Sequence, residues 1–196
     1  MGLSFHYNGR FNAGASLAAM IEEVKEIAEI YKWPYTVFED EFPANSIGKT
    51  GYNQNIYGIS FTPPNCETIN LCFLSNRRMS SALHLKFYGN SKNKAEAQYL
   101  YMLSVKTQYA GMEIHKLIIH LLKYLDGKYL QDFTVDDEGE YWETGDEKLL
   151  EDAFLRYNNL MKNFISSIEN FPIRSGESFE DYFERLLKQL HEKHKK

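Results

Sequence analysis

The chain has 196 residues, 43% of them hydrophobic and 25% charged, with a formal net charge of −5, which excludes a wholly disordered chain, a fibre and a disulfide-stapled miniprotein. By the general area laws, folding reduces an extended surface on the order of 33,000 Å² to about 10,000 Å², enough burial for one full core. The start Met1-Gly2-Leu3-Ser4-Phe5-His6 has no basic stretch followed by an apolar run, and no segment reaches the roughly 18 apolar residues that cross a bilayer, so the expected location is cytoplasmic, with no membrane partner.

In chain order, residues 3–11 alternate around aromatics before Asn12-Ala13-Gly14 and predict a strand. Leu17, Met20, Ile21, Val24, Ile27, Ala28 and Tyr31 keep three-four spacing and predict a helix capped by Ser16. Trp33-Pro34 ends it, because the residue before a proline is pushed out of the α region. Residues 35–38 read as a short β-branched and aromatic strand, 43–55 as a surface loop, and 56–61 with 69–74 as a hairpin joined through Pro63-Pro64. Two further strands are predicted at 83–88 and 99–109, around a polar loop. Ile114, Leu117, Ile118, Leu121, Leu122 and Leu125 mark a second helix between Gly111 and Gly127. Residues 133–144 predict a hairpin turning at Asp137-Glu138-Gly139. Thr144 with Glu147 has the form of a capping box that opens a third helix. Pro172 and Gly176 separate it from a last helix carrying Phe179, Tyr182, Phe183 and Leu186.

Consecutive strands without intervening helices predict the α+β class: a mainly antiparallel sheet covered by helices, with two C-terminal helices. Each of the first two helices has a single apolar stripe, so both are expected on one face of that sheet. Residues 1–171 are expected to form the α+β domain, and residues 172–196 an appended helix packing on it.

Charge is unevenly placed. Asp132, Asp136, Asp137, Glu138, Glu140, Glu143, Asp146 and Glu147 lie in one base-free segment, and the other 19 of the 27 acids face 22 bases. A solvated acidic turn is one reading; a surface for a basic protein partner, centred on Asp136, Asp137, Glu138 and Glu140, is the other. The spacing does not fit a calcium loop, since Thr134 and Val135 stand where ligands would be needed. Residues 68–95 contain no acid but include Arg77, Arg78, Lys86, Lys92 and Lys94 among Phe73, Phe87 and Tyr88. Arg77, Arg78 and Lys86 are therefore candidate binding residues, either as a docking patch or as a single-stranded nucleic-acid platform. Nucleic acid is the less favoured, because the RNA-recognition consensus is missing. The tyrosines, 14 in all, supply rigid bodies with polar tips for sheet faces or a groove.

No phosphate-binding glycine pattern, nucleophile elbow, zinc-type spacing or dinucleotide fingerprint occurs, so no metal and no cofactor is expected. His115 and His120 are five apart on one predicted helix and point about 140° from each other, too far round to share a metal. His191 and His194 read as solvated. Cys66 and Cys72 read as free thiols. Cys66 and Glu67, at the turn after Pro64, with His115 at the start of the second helix, are the candidates for a small hydrolase site, if the fold brings thiol, base and acid together.

Four segments carry a resemblance: Leu3-Ser4-Phe5-His6-Tyr7; Gly58-Ile59-Ser60-Phe61-Thr62-Pro63-Pro64 with Cys66-Glu67; Lys106-Thr107-Gln108-Tyr109-Ala110-Gly111 with His115; and Tyr141-Trp142-Glu143-Thr144-Gly145-Asp146-Glu147. They are similar to a group of bacterial proteins of unknown function from Bacteroidetes-type gut genomes. The resemblance implies a compact, intracellular bacterial protein and transfers no functional residue. The leading expectation is a non-enzymatic interaction or regulatory protein of immunity-like kind, with the hydrolase and the nucleic-acid binder as alternatives.

Overall fold

The computed structural model describes residues 2–193, apart from the side chains of Lys94, Ser167 and residues 189–193, so the His191/His194 pair lies outside what is described. The fold is α+β, with two three-stranded sheets that are antiparallel throughout. Two compact units divide the chain at 154/155, and the 171/172 boundary read from the sequence falls inside the second.

In the first unit, β1 (Ser4–Phe11) is the central strand of one sheet, between β5 (Leu103–Lys106) and β6 (Leu130–Asp137). Its alternation buries Phe5, Tyr7 and Phe11 and leaves His6, Asn8 and Arg10 in solvent. The second sheet has the order β2 (Tyr35–Val37), β3 (Tyr57–Phe61), β4 (Ile69–Phe73). All of β3 is buried, because both faces of this sheet are covered. The helix α1 (Leu17–Ile30) packs on β3, while Cys72 joins a cluster with Leu85 and Leu100. Those two come from α2 (Ala82–Tyr88) and from the 3-10 turn Gln98–Tyr101 that follows α3 (Lys94–Ala97). The segment 77–79 stitches the sheets together: Phe11 N–H donates to Arg77 C=O (2.8 Å) and Met79 N–H to Gly9 C=O (2.9 Å).

Several expectations are corrected here. Residues 82–88 form a helix rather than a strand, started by Ser81, whose hydroxyl accepts from His84 N–H. Only four residues of the 99–109 stretch are strand. The helix α4 (Met112–Tyr129) runs through Gly127 and leads straight into β6. Residues 133–144 make no hairpin; β6 pairs with β1, and the chain then turns into a short helix, α5 (Tyr141–Thr144). The expected single sheet is two: α1 packs on β3 of one, α4 contacts β6 of the other, and the two helices touch each other.

The helix α6 (Glu147–Glu169) starts where expected, but its cap is Asp146. The Asp146 carboxylate accepts from Lys148 N–H (2.7 Å) and Leu149 N–H (3.2 Å), whereas the Thr144 hydroxyl donates back to Glu140 C=O (2.6 Å). Asp146→Ala should therefore lower stability by about 1 kcal/mol, read as the shift in urea midpoint; an unchanged midpoint would refute this cap. In the second unit, Ser178 opens α7 (Phe179–Lys193) by accepting from Asp181 N–H (3.1 Å) and donating to the Asp181 carboxylate (2.6 Å). The Arg185 guanidinium forks onto the Glu177 carboxylate at 2.7 and 2.8 Å.

Candidate functional site

A buried polar centre in the first unit is made from three elements. Thr107 follows β5, His115 stands in the first turn of α4, and Asp137 ends β6. The Thr107 hydroxyl lies 2.7 Å from His115 Nδ1, and His115 Nε2 lies 3.2 Å from Asp137 Oδ2. The carboxylate also accepts backbone N–H bonds from Gly139 (2.8 Å), Tyr141 (3.0 Å) and Trp142 (3.1 Å). Phe5 and Phe154 meet the imidazole edge-on. Gly139 passes so close that a Cβ there would sit 2.6 Å from Leu150 Cδ1. Burial by itself raises the Asp137 pKa; the His115 contact and the N–H groups of Gly139 and Trp142 outweigh it and hold the carboxyl below its ordinary value.

Hydroxyl, imidazole and carboxylate stand in the order of a nucleophilic triad. A reacting carbonyl would have to reach the hydroxyl, and it is sealed: Thr107 and His115 are 0% exposed and Asp137 4%. The arrangement is a structural lock that joins β5, α4, β6 and α5. The sequence placed His115 at the boundary of the apolar face and Asp137 on an exposed turn; both are core residues. Asp137 therefore leaves the set of candidate binding residues. The local signal was Asp137-Glu138-Gly139, a short acceptor followed by a residue small enough to pass the imidazole.

Cys66 and Glu67 are brought to β5. The Glu67 carboxylate accepts from Lys106 N–H (2.8 Å), Glu67 N–H donates to Lys106 C=O (3.3 Å), and the half-buried Cys66 thiol lies 3.7 Å from the same carbonyl. Burial, then the charge of Glu67, pushes the Cys66 thiol up to about 12, far from the thiolate a nucleophile requires. Both ring nitrogens of His115 are already engaged elsewhere, so Cys66, Glu67 and His115 do not assemble into a nucleophile–base pair. Cys72 is buried, and both cysteines are free thiols.

The basic stretch does not form a stacking platform. Phe73 is fully buried. Arg77 lies over the Phe42 ring (4.5 Å) and reaches Asn12 C=O (3.4 Å), and Arg78 lies over Tyr101 (3.3 Å). Lys86 is exposed beside the exposed Phe87. Among the described residues there is no group of three or more His, Cys, Asp or Glu side chains placed to hold a metal ion, and no helix is long and apolar enough to cross a membrane.

The face of the first sheet that carries His6, Asn8, Ser104, Thr134 and Asp136 is uncovered. A shallow cleft of about 430 Å³ crosses it, lined by His6, Asn8, Met102, Thr134 and Asp136 among others. Of the eight acids between residues 132 and 147, only Asp136 lines this cleft. Asp137 is bound to His115, Asp146 caps α6, and Glu147 pairs with Lys116 (2.7 Å). Asp132, Asp136, Glu138, Glu140 and Glu143 are exposed, and among the described residues none has an ion-pair partner. Glu138 accepts a single backbone N–H, from Ser4 (2.8 Å). Compared with family models, curated proteins and solved structures, the chain matches none.

Proposed function

We propose that this chain is a non-enzymatic, cytoplasmic interaction protein of regulatory or immunity-like kind, which meets a basic protein partner through the uncovered face of its first sheet. One observation carries the reading: the five carboxylates at Asp132, Asp136, Glu138, Glu140 and Glu143 are exposed and have no ion-pair partner among the described residues. Five like charges within twelve residues of the chain repel one another, and that repulsion is relieved when an external base arrives. The partner is accordingly expected to carry lysines or arginines, with steered, salt-sensitive association. The hydrolase alternative loses support because its thiol and its imidazole are committed to different parts of the core.

The test uses the chain as bait in extract of its native host at low and high salt, beside the variant Asp136→Asn, Glu138→Gln, Glu140→Gln, Glu143→Gln. A basic protein recovered at low salt, and lost both at high salt and with the variant, is the expected result. Identical recovery with wild type and variant at both salts would remove the acidic face from binding. Recovery of nucleic acid instead of protein would favour the other alternative.

A further inference from the structure

β6 is an outer strand of the first sheet, and its hydrogen-bonding phase follows from its neighbours. Glu138 N–H donates to Ser4 C=O (3.1 Å) on the β6 side of β1, and Thr107 N–H donates to Leu3 C=O (3.0 Å) on the β5 side. Antiparallel ladders alternate, so Ser4, His6 and Asn8 turn their backbone groups to β6, while Leu3, Phe5 and Tyr7 turn theirs to β5. His6 stands opposite Asp136 and Asn8 opposite Thr134, which makes Thr134 and Asp136 the residues of β6 that bond to β1. The N–H and C=O of Phe133 and Val135 therefore point away from the sheet, and no segment among the described residues bonds them. This regular edge is bounded on one side by the left-handed Asp132 (φ 52°), beside the register shift. On the other it ends at the turn in which Glu140 N–H donates to Asp137 C=O (2.9 Å).

The two faces of the edge differ. Thr134 and Asp136 are exposed on the uncovered face, whereas Phe133 and Val135 are half-buried on the other, where the Trp142 ring meets Phe133 edge-on. Exposed Asp132, Asp136 and Glu138 have no ion-pair partner among the described residues. Charges on an edge strand sort what can pair with it: an acidic strand is repelled here and a basic one is drawn in.

We propose that the partner supplies an extended segment of alternating basic and apolar residues, which pairs antiparallel with β6 as a fourth strand of the first sheet. This rests on the reading above that the partner is basic. Both existing ladders of the sheet are antiparallel, and that pairing is the more stable per residue. Side chains alternate between faces along a strand. Residues opposite Val135 and Phe133 are therefore apolar and meet the half-buried face, and the residue opposite Asp136 is a lysine or arginine. The backbone groups of the residues opposite Val135 and Phe133 complete the open ladder, so main chain gives affinity and the alternate side chains give selectivity.

The probe is a blocked heptapeptide alternating lysine and valine, titrated at low salt into the full chain labelled with nitrogen-15. The amides of Phe133 and Val135 are expected to shift and to gain protection from hydrogen exchange. In the antiparallel register the valine N–H groups face β6 and the lysine N–H groups face away. N-methylation of the valines should weaken binding at least about tenfold, and N-methylation of the lysines less than about twofold. No binding, binding that leaves Phe133 and Val135 unprotected, or equal effects of the two methylations overturns the proposal. The host-extract experiment separates this inference from the one it rests on. Val135→Pro deletes an outward N–H, spares the bonds to β1 and keeps all five exposed carboxylates, and it should lose the basic protein. A protein retained by Val135→Pro but lost with the four-carboxylate variant would overturn strand pairing and leave acidic-face binding standing. Retention with both variants would remove that reading as well. If Val135→Pro misfolds, the two methylated peptides decide alone.

Discussion

Asp137→Asn should destabilise the first unit by about 3–5 kcal/mol, the range for breaking a buried pair by removing one partner. The carboxylate takes four donors: His115 Nε2, Tyr141 N–H and Trp142 N–H at Oδ2, and Gly139 N–H at Oδ1. An asparagine has one oxygen, so in either orientation its amide N–H₂ faces an N–H donor. No water can reach the orphaned groups to compensate, since Asp137 is 4% exposed and His115 0%. The lock also has a pH signature. The folded carboxyl is held below its ordinary value, so its stabilisation is fully present above the unfolded carboxyl pKa of about 3.9 and is lost as pH falls through the lower folded value. Denaturant midpoints between about pH 2 and pH 7 should show this acid-side loss in wild type and a shallower one in Asp137→Asn. A variant as stable as wild type at neutral pH, with the same acid limb, would show that the centre is not holding the elements together.

Gly58→Ala should be nearly as damaging, for a backbone reason. Gly58 sits in the central strand β3 with φ 116°, and a Cβ there would lie 2.3 Å from Leu71 C=O on β4. Its N–H donates to Glu39 C=O and its C=O accepts from Phe38 N–H, both at 2.9 Å, so the strand cannot turn away without losing two bonds. Backbone strain of about 1–3 kcal/mol together with the clash gives an expected loss of at least about 3 kcal/mol, or roughly 6–12 °C in melting temperature for a chain of this size. Gly51→Ala is the control. Nothing lies within 4 Å of its Cβ position, and it should melt within about a degree of wild type. Equal melting of Gly58→Ala and wild type would remove the close approach of β3 to β4.

Wherever a stripe repeated locally for several turns, the sequence was sufficient. α1, α4, α6 and α7 are helices where three-four spacing predicts them, and Ser16 does cap the first, accepting from Ala19 N–H (3.3 Å). The hairpin of β3 and β4 was legible for a similar reason: its two runs are close in sequence and joined through prolines. Residues 82–88 misled because Leu83, Leu85 and Phe87 alternate as strand residues do. Only Leu85 is buried, and Leu83 and Phe87 point to solvent at 61% and 63% exposure, so the alternation never described a buried face.

What the tertiary structure alone decided is which distant segments meet. The Phe133–Val135 alternation is that of a real strand, but its partner is β1, more than a hundred residues earlier, rather than the residues just beyond the turn. Once β6 lies beside β1, Asp137 is carried inward to His115 and Thr107, and an acid that composition assigns to a solvated cluster becomes the most buried carboxylate among the described residues. Periodicity is written in neighbouring residues and survives in the sequence. Strand partners and the division of carboxylates into buried, paired and exposed depend on contacts across loops whose closure no local pattern records.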